Sequence, residues 1–335
     1  MVDSSLFSST YRAPAWLPGG HLQTIYPALC ITRPAVTYRR ARWHTPDQDF
    51  IDIDFVDGEP GQPLVILFHG LEGSSDSHYA RSLMAALKMR GWSGAIAHFR
   101  GCSGEANLTP RFYHSGDAAE IDWIVRRLHA QASGPVYVAG VSLGGNALLR
   151  WLGECGHAAA FVDGACAVSA PLDLSAGGAA LGSGFNMLYT RMFLRTLKAK
   201  SLAKLERYPG LFDRAALIDA RTLYAFDNVV TAPLHGYRDT DDYWHRASAR
   251  HVLGDIRVPT LVLNARNDPF LPGQHLPRTA STCVTLEYPE QGGHVGFVTG
   301  RPPGKLDWLP QRILGFFDGI SAPQRAQVCE GDRHG

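Results

Sequence analysis

One serine in this sequence has the surroundings of a catalytic nucleophile. Ser142 is the central residue of a Gly-Val-Ser-Leu-Gly segment, residues 140–144. The apolar run 136–139 predicts a buried strand before it, and residues 145–152 predict a helix after it. A serine on such a tight strand-to-helix turn has its hydroxyl lifted clear of the sheet, and the flanking glycines let neighbouring backbones pass closely. We therefore predict that Ser142 is a nucleophile.

A serine nucleophile needs a histidine to accept its proton and an acid to orient that histidine. Residues 258–263 predict a second buried strand, and Asp268 stands in the loop just after it. Residues 283–288 predict a further strand, with His294 in the glycine-rich loop that follows. Because parallel strands place their chemistry at their carboxyl ends, we expect Ser142, Asp268 and His294 to meet there. The alternative interpretation is a surface serine, a turn aspartate and a loop histidine.

Acyl transfer also needs hydrogen-bond donors for the negatively charged oxygen. The backbone N–H of Leu143, at the start of the helix after the serine, is one predicted donor. Residues 64–68 predict an earlier strand, and in the loop after it Gly70 would let the N–H of Leu71 face the site as the second donor. We interpret His69 in this loop as an organiser of the backbone, because the base position is already filled.

The predicted strands alternate with helices along the chain, which indicates a mostly parallel sheet covered on both faces. The clearest predicted helices span residues 76–90, 116–130 and 308–317. The whole chain, residues 1–335, is expected to form one domain, in which residues 321–335 have the composition of a frayed tail.

About 90 residues separate the predicted strands at 165–168 and 258–263, far more than one connecting helix needs. We assign residues 172–250 to a helical cap insertion, and the alternative is ordinary surface decoration. Its helical segment 185–200 carries five apolar residues that share one predicted face, namely Phe185, Leu188, Tyr189, Met192 and Phe193. Arg191 and Arg195 are predicted on the opposite side. That face is expected to cover the site, and a sharper hypothesis adds peripheral contact with an anionic lipid surface.

Longer stretches of the chain, together with the order of Ser142, Asp268 and His294, resemble one known family. They are Trp-Leu-Pro-Gly-Gly-His-Leu-Gln-Thr at 16–24, Phe-Arg-Gly-Cys-Ser-Gly at 99–104, Tyr-His-Ser-Gly at 113–116, Thr-Ala-Pro-Leu-His-Gly-Tyr at 231–237 and Asp-Tyr-Trp at 242–244. These motifs resemble those of the YheT-like hydrolases, a group of predicted carboxylesterases. The resemblance covers about residues 14–318 and implies the α/β-hydrolase fold with Ser142, Asp268 and His294 as its triad.

Composition excludes several other classes of protein. The net charge is +1, from 32 basic and 31 acidic residues, which argues against a nucleic-acid partner. No apolar run approaches the ~18 residues of a membrane span, and residues 1–8 lack the features of a signal peptide. The six cysteines show no Cys-x-x-Cys pair, so we expect free thiols in the cytoplasm. No His-Glu-x-x-His motif is present, and neither a metal nor a cofactor is expected.

The sequence therefore predicts a serine hydrolase that cleaves carboxylic esters of small molecules or lipids through an acyl-enzyme on Ser142. Thioester, amide or lipid acyl hydrolysis by the same three residues are alternatives. A dehalogenase is disfavoured, because its nucleophile would be an aspartate at position 142. A non-catalytic binding protein with this fold is also disfavoured, because such proteins usually lack one of the three side chains.

Overall fold

The computed structural model describes residues 6–7 and 9–320, so the predicted tail 321–335 lies outside the described residues. Within this part of the chain, nine strands form one sheet: β1 (Leu6–Phe7), β2 (Arg39–His44), β3 (Phe50–Val56), β4 (Leu64–Phe68), β5 (Ser93–Ala97), β6 (Val136–Val141), β7 (Gly164–Val168), β8 (Thr260–Leu263) and β9 (Val284–Glu287). Their order across the sheet is β1-β9-β8-β7-β6-β4-β5-β3-β2. Only the pairings β2/β3 and β3/β5 are antiparallel, which confirms the predicted mostly parallel sheet.

Eleven α-helices accompany the sheet within the described residues: α1 (Gly20–Leu29), α2 (His78–Met89), α3 (Ala118–His129), α4 (Leu143–Cys155), α5 (Leu174–Leu181), α6 (Met187–Arg207), α7 (Arg214–Asp219), α8 (Leu223–Phe226), α9 (Ala232–Leu234), α10 (Thr240–Ala247) and α11 (Trp308–Asp318). Helices α2 and α11 pack on one face of the sheet, and α3 and α4 pack on the other. The alternation of side chains along a strand supplies both cores. In β4, Val65 and Leu67 belong to the core between the sheet and helices α2 and α11. Ile66 and Phe68 belong to the core between the sheet and helices α3 and α4.

The antiparallel strands β2 and β3 were not anticipated from the sequence. Asp52 and Asp54 of β3 alternate with apolar residues, a pattern typical of a strand with one solvent-exposed face. Both carboxylates are nevertheless buried, because arginines directly opposite on β2 cover them. Arg42 lies 2.9 Å from Asp52, and Arg40 lies 2.7 Å from Asp54. These cross-strand ion pairs therefore compensate the charges of the two buried carboxylates on β3.

Six helices, α5 to α10, stand between β7 and β8, in the segment for which a cap insertion was predicted. The longest, α6, begins at Met187, so Phe185 lies in a preceding 3₁₀ turn. The prediction of one buried apolar stripe was wrong in part. Tyr189 is buried against Phe270, with ring centroids 4.9 Å apart, whereas Leu188 and Met192 are 45% and 58% exposed.

The rotation of α6 explains this difference. Its inward positions are Tyr189, Phe193 and Leu197, at i, i+4 and i+8, which face Phe270 and the cleft described below. Leu188 and Met192 each precede an inward residue by one position and are turned away by about 100°. Arg191 and Arg195 are exposed on this outward side as well, and not opposite to Leu188 and Met192 as predicted.

Two helical glycines test how closely the elements pack. A Cβ on Gly153 of α4 would lie 2.5 Å from Cβ of Val252, whereas a Cβ on Gly315 of α11 would meet nothing within 4 Å. We expect Gly153→Ala to lower the free energy of unfolding by about 1–3 kcal/mol through overpacking. Gly315→Ala should raise it by about 0.5–1 kcal/mol, because alanine loses less backbone entropy in a helix. Urea unfolding measures both, and a Gly153→Ala protein as stable as wild type would contradict the packing.

Candidate active site

Ser142 occupies a strained turn between β6 and α4. Its φ is +52°, in the left-handed region that residues other than glycine rarely adopt. The turn is held on both sides, because the Ser142 N–H donates to the Val168 carbonyl at 2.8 Å and the Ser142 carbonyl accepts the Asn146 N–H at 3.0 Å. A Cβ on either Gly140 or Gly144 would come within 2.5 Å of backbone carbonyl oxygen. Backbone packing therefore imposes the conformation that lifts the hydroxyl from the sheet.

The structure brings together the three predicted side chains in one line of hydrogen bonds. Oγ of Ser142 lies 3.0 Å from Nε2 of His294, and Nδ1 of His294 lies 2.9 Å from Oδ2 of Asp268. Because a carboxylate only accepts, Nδ1 of His294 is the donor, which leaves Nε2 free to accept the serine proton. The Phe270 N–H donates to the other carboxylate oxygen, Oδ1, at 2.8 Å. Asp268 is buried, so its orientation is fixed from two sides.

Helix α1 holds the loop that carries His294. The His294 N–H donates to Oγ1 of Thr24 at 2.8 Å. Oε1 of Gln23 accepts the Gly292 N–H and the Asn267 side-chain amide, both at 2.9 Å. Gln23 and Thr24 belong to the motif at 16–24, whose role the sequence did not reveal. The structure shows that they tie the histidine loop to the loop of Asp268.

The loop after β4 lies against the nucleophile turn. A Cβ on Gly70 would come 3.1 Å from Cβ of Ser142, so glycine permits this approach. The Gly70 N–H donates to the Tyr79 hydroxyl at 2.9 Å, which fixes the start of the loop. Leu71 and Leu143, the two residues predicted to supply the oxyanion donors, both line the cleft at Ser142.

His69 is fully buried beneath this loop. Nδ1 donates to the Gly70 carbonyl at 2.7 Å, and Nε2 accepts the Phe99 N–H at 3.1 Å. Burial lowers the pKa of His69 to about 3, so the imidazole is neutral at ordinary pH. These contacts are those of a residue that organises the loop, as the sequence analysis expected.

An apolar cleft of about 1100 Å³, part of it open to solvent, lies next to Ser142 and His294. Helices α5, α6 and α8 contribute apolar side chains to its wall, for example Leu174, Leu181, Phe193 and Phe226. Three charged residues also line it. Glu72 and Lys200 form an ion pair at 2.8 Å, and Asp227 accepts hydrogen bonds from Thr231 and Trp244. Burial raises the pKa of Asp227 to about 6.

Residues 63–301 match the family model of the alpha/beta hydrolase fold, and the chain belongs to this family. Its relatives include the Escherichia coli (strain K12) protein named "Putative esterase YheT", which is 40% identical over 302 residues, or 88% of each chain. Mouse phospholipase ABHD3 is 29% identical over 315 residues, or 90% of this chain and 76% of its own. Monoacylglycerol lipase from Saccharomyces cerevisiae (strain ATCC 204508 / S288c) is 29% identical over 274 residues, or 78% of this chain and 60% of its own.

Solved structures agree on the fold. Mouse alpha/beta hydrolase domain-containing protein 10 superposes with a TM-score of 0.53 at 14% identity, over 84% of this chain and 100% of its own. An esterase from Pyrococcus furiosus gives 0.52 at 16% identity, over 86% and 96%. The predicted fold class and the predicted family are thus confirmed. The chain is a hydrolase of the α/β fold with esterase-like and lipase-like relatives.

The described residues were also compared with the requirements of a metal site, a disulfide and a membrane-spanning helix. Within residues 6–7 and 9–320, no group of three or more His, Cys, Asp or Glu side chains is placed to hold a metal ion. The five cysteines among these residues form no disulfide, and Cys329 lies outside the described part of the chain. None of the described helices is both long enough and apolar enough to cross a membrane.

Four histidines that are buried or half-buried make the stability of the fold depend on pH. Burial lowers the pKa to about 3 for His69, His114 and His235, and to about 4 for His78. The unfolded chain binds protons on them near pH 6.5, so their contribution is complete above that pH and is lost as the pH falls towards 4. Each should add a slope of up to about 1.4 kcal/mol per pH unit to the free energy of unfolding.

Urea unfolding between pH 5 and 8 measures this slope. Burial raises the pKa of Asp227 to about 6 and that of Glu120 to about 7, so these carboxyls titrate in the same window with the opposite sign. The test therefore compares the slopes of variants. We expect His235→Gln to reduce the slope, and the matched change at the exposed His129 to leave it unaltered. A His235→Gln protein with the same slope as wild type would contradict a neutral, partly buried imidazole at this position.

Proposed function

We propose that this hydrolase cleaves carboxylic esters through an acyl-enzyme on Ser142. Oγ attacks the ester carbonyl carbon while Nε2 of His294 accepts its proton. His294 then gives that proton to the alcohol oxygen as the carbon–oxygen bond breaks. A water molecule, deprotonated by His294, attacks the acyl carbon and releases the acid, and Oγ recovers its proton. The observation that carries this proposal is the line of hydrogen bonds at 3.0 and 2.9 Å from Ser142 through His294 to Asp268.

Asp268 and the backbone complete the proposed mechanism. The carboxylate of Asp268 orients the imidazole and stabilises the imidazolium that forms when the serine proton is taken. The N–H groups of Leu71 and Leu143 donate to the carbonyl oxygen as it becomes negative. Both residues line the cleft beside Ser142. This supports the role, because an oxyanion must lie within reach of both donors and of the nucleophile.

The apolar wall of the cleft supports an acyl ester of a lipid or another hydrophobic molecule as the substrate. Two relatives carry names of lipid-cleaving enzymes, a phospholipase and a monoacylglycerol lipase, which favours the same class. Hydrolysis of thioesters or amides would use the same groups.

We also propose that residues 172–250 act as the cap, because α5, α6 and α8 supply much of the wall of the cleft. We propose that the protein is located in the cytoplasm, because its six cysteines do not have the spacing of a disulfide framework.

A panel of p-nitrophenyl esters graded in acyl length tests the proposed reaction. Ser142→Ala and His294→Ala should each lower kcat by roughly 10⁴–10⁶-fold, and the double variant should lose little more, because the residues act as a unit. Circular dichroism and thermal unfolding serve as controls for folding. Ester hydrolysis by folded Ser142→Ala at a rate close to wild type would disprove the role of this serine.

We further propose that the outward side of α6 contacts an anionic lipid surface from which the substrate is taken. Leu188 and Met192 are exposed there beside Arg191 and Arg195, and Phe185 is 55% exposed just before the helix. The sequence from 187 to 205 contains no acidic residue, although the chain as a whole is nearly neutral. Exposed apolar and cationic side chains on one helix face suit the boundary between acyl chains and anionic head groups.

Cosedimentation at low salt tests this contact with vesicles of phosphatidylcholine alone or with added phosphatidylglycerol. Wild-type protein should pellet only with the anionic vesicles and should dissociate in high salt. Arg191→Glu/Arg195→Glu should weaken binding by at least about tenfold, because each basic residue near such a surface contributes about 1 kcal/mol. The control Lys88→Glu/Arg127→Glu makes the same change in net charge on α2 and α3, and should still bind. Wild-type protein that stays in the supernatant would refute the contact.

A further inference from the structure

One ion pair joins the helix α6 to the loop that follows β4. Nζ of Lys200 lies 2.8 Å from a carboxylate oxygen of Glu72. The Glu72 side chain is 10% exposed and that of Lys200 is 34% exposed, and both residues line the apolar cleft beside Ser142. This pair spans 128 positions of the sequence. It connects the proposed cap to the residue next to Leu71, the proposed oxyanion donor.

The backbone at Glu72 has a conformation that needs support. Its φ is +56°, which costs about 1–2 kcal/mol for a residue with a Cβ. The Glu72 N–H donates to the Tyr113 hydroxyl at 2.8 Å, and the same hydroxyl donates to Oε1 of Glu72 at 2.9 Å. The side chain and the backbone of Glu72 are thus closed into one ring through Tyr113. The ammonium group of Lys200 contacts the carboxylate of this ring from the side of α6.

Leu71 lies between two fixed residues. On one side, the Gly70 N–H is bonded to the Tyr79 hydroxyl at 2.9 Å. On the other side, Glu72 is held by Tyr113 and Lys200. The Gly73 N–H closes this turn by donating to the Gly70 carbonyl at 2.9 Å, and Lys200 adds a contact from α6 at the Glu72 side chain.

The charge of Glu72 gives Lys200 a second effect. A carboxylate one residue away from an oxyanion donor opposes the growth of negative charge at the substrate oxygen, and it does so strongly where apolar walls lower the local dielectric. The ammonium group at 2.8 Å offsets that repulsion. A neutral side chain at position 200 would leave the Glu72 carboxylate uncompensated in the cleft.

We infer that Lys200 is a positioning residue for the oxyanion hole. Through Glu72, it supports the backbone of the hole and offsets the negative charge beside it. The hole is therefore complete only when α6 lies over the cleft. The inference rests on the proposed ester hydrolysis. It assigns to α6 a part in stabilising the transition state in addition to covering the substrate. Lys200 itself does not contact the reacting atoms.

Steady-state kinetics of Lys200→Met separate this role from simple lining of the cleft. We expect kcat to fall by about tenfold or more while KM stays within about twofold, because the interaction lost acts on the transition state. The affinity of a trifluoromethyl ketone inhibitor, whose adduct with Ser142 carries an oxyanion, should fall by the same factor. Lys200→Arg should retain most of the activity, because its guanidinium can also pair with the Glu72 carboxylate.

Two further variants test the electrostatic part. Adding Glu72→Gln to Lys200→Met removes the uncompensated charge and keeps an acceptor for Tyr113, so kcat should partly recover. Lys198→Met is the matched control on the same helix, because the Lys198 ammonium is bonded to the Ile218 carbonyl at 2.7 Å. It should keep wild-type kcat and wild-type inhibitor affinity.

The inference is overturned if Lys200→Met keeps wild-type kcat, if it changes KM alone, or if Lys198→Met shows an equal loss. It is also overturned if kcat falls but the affinity for the ketone does not, or if Glu72→Gln in the Lys200→Met background restores nothing. An inactive Ser142→Ala together with any of these results would leave the proposed ester hydrolysis intact. Full activity of Ser142→Ala would reject both.

Discussion

Three stretches of backbone meet behind Ser142 at distances that leave no room for a methyl group. A Cβ on Gly140 would lie 2.5 Å from the Gly144 carbonyl oxygen, and one on Gly144 would lie 2.5 Å from the His69 carbonyl oxygen. Strand β6, helix α4 and the loop after β4 therefore come together only because these positions are glycine. This close approach imposes the left-handed turn of Ser142 and brings Leu71 to the same edge of the cleft.

The histidine side of the site is held against helix α1. Its loop contains Gly292, Gly293 and Gly296, and a Cβ on Gly293 or Gly296 would come within 2.8 Å of the backbone of α1. The Gly292 and His294 N–H groups also donate hydrogen bonds to Gln23 and Thr24, which fix the backbone around the imidazole. Both the nucleophile and its base are thus positioned by close backbone contact, the first within the sheet core and the second against a helix from near the start of the chain. Both supports are required before the three side chains can form one line.

Local sequence patterns were sufficient to predict the strand-to-helix turn at Ser142, the parallel core of the sheet and the loops of Asp268 and His294. Each of these depends on residues close together in sequence. The strand β3 was missed, because its buried carboxylates are satisfied by arginines of β2 that only pairing reveals. The face of α6 was predicted with the wrong rotation, because contact with Phe270 sets it. The pair of Glu72 and Lys200 depends on how α6 docks, which no local pattern encodes.

Phe270 belongs to several parts of the site at once. Its backbone N–H orients Asp268, its ring stacks on His294 with centroids 4.0 Å apart, and its other contacts are with Tyr189 and Phe193 of α6. The ring covers one face of the imidazole. In the proposed reaction, the water that attacks the acylated serine must reach the imidazole past this ring. A second alcohol bound in the cleft would compete with that water for the acyl group, so the space beside Phe270 would bear on the balance between hydrolysis and acyl transfer.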